Sequence, residues 1–166
     1  MGLLKRTDIV DFLDVTPSEQ TNDWAIVGDG MTTGTWTYDA QTTSETYIIN
    51  DSATTTVDSY SVSMDGEMKC KKGDEVFDFI DNLRKTRAIG ESAKTSVLSV
   101  YKYDFTTEGT TTTYSAEKND CTITITSFGG DGGATPTIGF TIAKNGDPVI
   151  GTVTMSGGTP TFTPTV

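Results

Sequence analysis

Fifty-five of the 166 residues are β-branched, 33 Thr with 11 Val and 11 Ile, while Leu occurs only five times. Branching at Cβ stiffens χ1, crowds a helix and suits a pleated surface, so the chain is expected to be mainly β. The apolar share is 34%. That is below the usual ~45–50% of a globular domain and implies a thin core, or one completed by a neighbour. The length suits one domain.

The same composition narrows the chemistry. There is no His, which removes Ser-His-Asp and Cys-His nucleophile arrangements, the commonest zinc ligand and the usual neutral-pH acid–base group. Acids outnumber bases 23 to 12, for a net charge of −11. Residues 69–94 hold seven of the bases and five acids, leaving five bases and eighteen acids elsewhere. A surface of that kind repels phosphate and argues against tight or sequence-specific DNA binding. Cys70 and Cys121 lack Cys-x-x-Cys spacing and are expected to be free thiols in a reducing cytoplasm. No run approaches the ~18 apolar residues of a membrane span. Gly129-Gly130-Asp131-Gly132-Gly133 leads toward another strand instead of a helix N-terminus, so it forms no phosphate cradle. No catalytic residue, cofactor or metal site is expected.

Along the chain, Leu3, Leu4, Ile9, Val10, Phe12 and Leu13 precede a Thr16-Pro17-Ser18 break, and residues 1–20 read as an apolar N-terminal arm, packed on its own domain or docked on a neighbour, ahead of a β domain over 21–166. Trp24–Val27 reads as a strand ending at Gly28-Asp29-Gly30. Thr33, Thr35 and Thr37 then alternate with Gly34, Trp36 and Tyr38, the period of a half-buried strand. Residues 41–56 read as a long polar loop around Tyr47-Ile48-Ile49. Ser59, Ser61 and Ser63 alternate with Tyr60, Val62 and Met64, and Thr122, Thr124 and Asp120 with Cys121, Ile123 and Ile125. One helix is expected over about 74–88, with Asp74 as N-cap, Phe77, Ile80 and Leu83 on one face, and Arg84, Lys85 and Arg87 complementing the dipole at its end. The segment Thr106–Thr113 reads as a Gly-Thr loop, Asn145-Gly146-Asp147-Pro148 as a hairpin turn, and Thr159–Val166 as a Pro-interrupted edge.

Trp24-Ala25-Ile26-Val27-Gly28-Asp29-Gly30, Tyr47-Ile48-Ile49, Lys72-Gly73-Asp74-Glu75-Val76-Phe77-Asp78-Phe79-Ile80-Asp81, Ala116-Glu117-Lys118, Phe128-Gly129-Gly130-Asp131-Gly132-Gly133 and Gly146-Asp147-Pro148-Val149-Ile150-Gly151-Thr152 follow one another in that order. Together they resemble the major tail proteins, or tail tube proteins, of long-tailed, non-contractile phages of Gram-positive hosts. The resemblance implies a β-sandwich or partial barrel with one helix, whose inner-sheet strands join six copies into a ring barrel. Rings stack into a tube that carries DNA from capsid to cell. It also implies ring-to-ring contacts through the loop 41–56, with Tyr47, Ile48 and Ile49, and through the N-terminal arm, with Leu3, Leu4, Ile9, Phe12 and Leu13. Partners would be further copies of the chain and other tail proteins such as tape measure, tail terminator and distal tail proteins. The protein would be made in the host cytoplasm and reside in the virion.

A channel for sliding duplex DNA should present short, neutral or acidic side chains, because rings of Lys or Arg would release counterions and hold the phosphates. Thr33, Thr35, Thr37, Asp58, Ser59, Ser61, Asp120, Thr122 and Thr124 are therefore expected to face the lumen, the DNA passing without specific binding. Two other readings fit the composition: the tube of a contractile tail or secretion system, and a soluble carbohydrate-binding β module using Trp36, Tyr101 and Tyr103. Loss of residues 1–14 or of 41–56 is expected to leave folded monomers that do not elongate.

Overall fold

The computed structural model describes residues 2–166 and distributes the β-branched residues over eight strands. In chain order these are β1 (Ile9–Asp14), β2 (Trp24–Val27), β3 (Trp36–Glu45), β4 (Thr54–Lys69), β5 (Lys94–Glu108), β6 (Thr111–Gly129), β7 (Thr137–Ser156) and β8 (Thr159–Pro164). They form one antiparallel sheet in the order β2-β1-β5-β6-β7-β4-β3, with β8 added to β7. The sheet is not closed, so the fold is mainly β, a partial barrel with one helix.

That helix, α1 (Glu75–Thr86), lies where capping and periodicity put it. Asp74 accepts from the Phe77 N–H at 2.8 Å, and Val76, Phe77, Ile80 and Leu83 are buried. Arg87 ends it in the left-handed conformation, φ 48°. The buried helix face packs with Leu13, Ala25, Met64, Met68, Val97, Cys121, Ile123, Ile138, Phe140 and Ile142 in the main core. A second cluster joins Val10, Phe12, Leu98, Val100, Ala116 and Val153. Strands β1 and β5 give alternate residues to each cluster, so both of their faces are covered.

Here the expected N-terminal arm is corrected. Met1 lies outside the described residues; residues 2–7 are exposed, but Ile9–Asp14 is an interior strand between β2 and β5. Phe12 is 2% and Leu13 0% exposed, so both belong to the chain's own core and are not available for ring contacts; Ile9, paired with Tyr101, is half-buried in the same strand. A strand buried on both faces is a continuous apolar run without alternation, which is why it resembles an arm. Deleting residues 1–14 would remove a central strand, so it would not leave a folded monomer.

Four local assignments also change. Thr33 and Thr35 precede β3 and lie in the connection after β2, not in a strand. Residues 41–45 and 54–56 are paired strand, Gln41 with Ser59 through Glu45 with Thr54, so the loop shrinks to 46–53. The Thr106–Thr113 loop shrinks to a turn at Gly109-Thr110, since Glu108 pairs with Thr111. Asn145–Pro148 does not reverse the chain. Asp120 pairs with Asn145 and Lys118 with Val149, so Gly146-Asp147-Pro148 bulges out of a continuous β7. Long-range pairing with β6 on both sides overrides the local turn preference.

Candidate assembly surfaces

Strands β3 and β4 leave the body as a ribbon. The last rung joining β4 to β7 is Ser63 with Ala143; beyond it, β3 and β4 pair only with each other. Every residue from Thr37 to Ser61 is exposed. Thr37 to Glu45 at about 3.3 Å per residue gives this arm a reach of about 30 Å. One of its faces continues the core outward from Trp36 and Met64 through Tyr38, Ala40, Tyr60 and Val62, with Tyr38 and Tyr60 edge to face at 6.3 Å. At the tip, Ile48 and Ile49 are 105% and 87% exposed, and Tyr47 donates to Glu45. An isolated two-stranded ribbon is marginal in water; this one is continuous with the sheet at Trp36, Met64 and Ser63.

The ribbon's root is fixed by a buried carboxylate. Asp11, in the middle of β1, accepts from Trp36 Nε1 at 3.1 Å, Ser99 Oγ at 2.7 Å and Arg6 at 2.9 Å. Arg6 also donates to the Gly34 carbonyl, tying the N-terminal segment to the approach to β3. On the same side Lys144 pairs with Glu117, both largely buried, and its ammonium stands 4.4 Å from the Trp36 ring centroid. The Tyr101 hydroxyl lies near Glu117; burial first, then that carboxylate, raise its pKa.

Opposite the core face lies a polar face. Met64, Ile123, Phe140 and Ile142 point inward, so their strand neighbours point out. The register then aligns Thr37, Asp39 and Gln41 of β3, Ser59, Ser61, Ser63 and Asp65 of β4, Thr141 and Ala143 of β7, and Asp120, Thr122 and Thr124 of β6 on one surface. Hydrogen bonds knit it across strands, Thr141 to Asp65 at 2.6 Å and Asn145 to Thr122 at 2.9 Å. Of the residues expected to share a channel, Thr37, Ser59, Ser61, Asp120, Thr122 and Thr124 thus come together. Asp58 is the extra residue of the bulge in β4 and accepts from Thr43. Thr33 and Thr35 are not part of this face; Thr33 lines a cavity of 430 Å³ with Arg6, Ile9 and Met31.

The open edges are not alike. Strand β8 carries Pro160 and Pro164, which cannot donate to an added strand, whereas β3, Trp36–Glu45, contains neither Pro nor Lys.

Of the three aromatics in the carbohydrate-binding reading, Trp36 is half-buried with its N–H bonded to Asp11 and Tyr101 is half-buried, while Tyr103 beside it is exposed. The two Ser-x-x-Lys spacings in the chain, Ser99–Lys102 and Ser115–Lys118, both lie in strands that direct the two side chains to opposite faces, and Lys118 lies over Trp24. Among the described residues no group of acidic, Cys or His side chains could hold a metal ion. No helix there is long and apolar enough to cross a membrane.

What the sequence conceals here is the Asp11 network and the Glu117–Lys144 pair. Each joins strands far apart in the chain. The one local sign is a carboxylate inside the apolar run Ile9–Leu13 with Arg6 five residues before it.

No family model matches the chain, and no curated protein matches it in sequence. Its fold does match a solved structure. That structure is the tail of an empty GTA (gene transfer agent) particle, computed with helical refinement in C6 symmetry. One of its chains superposes with a TM-score of 0.61 at 15% sequence identity, covering 88% of this chain and 97% of that one. At that identity the likeness is one of fold.

Proposed function

We propose that this chain is a tail tube protein: six copies close a ring by joining their sheets, and rings stack into the conduit through which phage DNA leaves the capsid. The observation that carries the reading is the ribbon from Thr37 to Ser61, exposed throughout and hydrogen-bonded only within itself. Its unprotected β3 edge favours strand addition from a neighbour. The fold's likeness to a chain of a C6-symmetric helical tail supports the same assembly.

In this assembly Tyr47, Ile48 and Ile49 at the ribbon tip, together with exposed Leu3 and Leu4, make ring-to-ring contacts. The face bearing Thr37, Ser59, Ser61, Asp120, Thr122 and Thr124 lines the channel, where hydroxyls and carboxylates let duplex DNA slide. The role is structural and not enzymatic. Placement in the non-contractile tails of phages of Gram-positive hosts rests on the sequence motifs alone, as do the contacts with tape measure, terminator and distal tail proteins.

Sedimentation velocity and negative-stain microscopy of the purified chain test this. Long particles are expected from the intact chain, and folded monomers from a variant with residues 46–53 replaced by Asn-Gly. A chain that stays monomeric at high concentration refutes the proposal.

A further inference from the structure

The ribbon is uniformly acidic. Residues 36–64 contain Asp39, Glu45, Asp51 and Asp58 and no Lys or Arg. In a chain that is acidic outside residues 69–94, an acidic tip with an apolar end is repelled by most of the surface of another copy. One region offers the opposite sign. At the C-terminal turn of α1, Arg84, Lys85 and Arg87 adjoin Ile125 and exposed Phe128 of β6, and Arg84 lies 3.8 Å from the Phe128 ring centroid. Ile89, two residues beyond Arg87, is also exposed.

Arg87 has two further properties. Among the described residues no carboxylate is within ion-pair distance of it, whereas Arg84 and Lys85 both pair with Asp81. It is also the one residue other than Gly at positive φ among the described residues, where ten glycines take such angles. Gly is the usual occupant of the position after a helix, since it has no Cβ to strain there. A cation held in that conformation with its charge outward is retained at a cost to the monomer, as happens at sites of interaction.

Resting on the reading of this chain as a self-assembling tube protein, we propose that the ribbon tip, Tyr47-Ile48-Ile49 flanked by Glu45 and Asp51, seats on another copy against Arg87, Lys85 and Phe128. Ile48 and Ile49 cover the apolar floor at Phe128, and the two carboxylates meet the cationic rim. Complementary charges of this kind set register between copies and exclude the other, acidic faces. The ribbon pairs only with itself past Ser63, so its seat lies on a second molecule.

The test compares assembly of the intact chain with Arg87→Gly, Arg87→Glu, and Arg87→Glu combined with Asp51→Lys. Arg87→Gly suits the left-handed backbone, so its thermal midpoint should equal or exceed that of the parent while its threshold concentration for tube formation rises at least three-fold. Arg87→Glu should raise the threshold at least ten-fold, and Asp51→Lys should recover part of that. In parallel, Ile48→Cys with Thr86→Cys, an exposed position between Lys85 and Arg87 on the same patch, should give intermolecular disulfides on oxidation of tubes. Tubes from the intact chain combined with parent-like assembly of both Arg87 variants, or with no 48–86 cross-link, overturn the docking site and leave the tube reading standing. No tubes from the intact chain overturns both.

Discussion

Replacing Asp11 by Ala tests how the ribbon is anchored. The carboxylate is buried, and it accepts from Trp36 Nε1, Ser99 Oγ and Arg6 at 3.1, 2.7 and 2.9 Å. Its removal leaves two enclosed donors without an acceptor, at about 1–3 kcal/mol each, while the half-exposed Arg6 rehydrates. The sum is about 2–6 kcal/mol. At about 2–4 °C per kcal/mol for a chain of this size, the midpoint should fall by about 4–24 °C. Asp11→Asn keeps an oxygen for Trp36 and Ser99 and loses mainly the pair with Arg6, whose side chain is half exposed and rehydrates, so about 1–2 kcal/mol is expected. Thermal and urea unfolding followed by tryptophan emission, on the variant with the shortened tip so that polymerisation does not mask the transition, measure both. If Asp11→Ala unfolds with the parent, or Asn costs as much as Ala, the anchoring argument fails.

Close backbone approaches give a graded set. A Cβ on Gly151 would lie 2.3 Å from the Thr163 carbonyl oxygen, and one on Gly66 would lie 2.6 Å from the Phe140 ring. Ala at Gly66 should cost about 1–3 kcal/mol by overpacking, and Ala at Gly151 should detach β8, read as faster amide exchange in Thr159–Pro164. Burial, the largest cause, pushes the Cys121 thiol up to about 12, so at pH 8 a thiol reagent should leave it unmodified until the chain unfolds, and rapid native labelling would contradict its place in the core. Asp81 is held below its ordinary 3.8, first by the hydrogen bond from Lys85 and then by Arg84. Its stabilisation of α1 should therefore be full at neutral pH and lost as pH falls through the lowered value. In the acid limb, Asp81→Asn should unfold with less pH dependence than the parent.

How far the sequence is legible follows from which residues have one wet face and one dry face. Helix α1 reads directly, because Asp74, the Phe77-Ile80-Leu83 stripe and the terminal bases all agree. The polar face of β4 and β6 also reads directly, since Ser59, Ser61, Thr122 and Thr124 alternate with buried or apolar neighbours. Strand β1 fails the same test because both its faces are dry. The ribbon fails it for the reverse reason: from Thr42 to Thr56 both faces are wet, and a paired Thr-rich strand looks like a loop. The bulge at Gly146-Asp147-Pro148 is invisible locally, because only pairing with Lys118 and Asp120 decides between turning and continuing. Alternation identifies the hydroxyl face but not the solvent it meets in an assembly.

Cryo-electron microscopy of particles formed by the purified chain bears most directly on the proposal. Rings of six are expected, joined through their sheets, with Thr37, Ser61, Thr122 and Thr124 turned toward a hollow axis. Particles with that face on the outer wall, or a chain that remains solitary at every concentration, would contradict it.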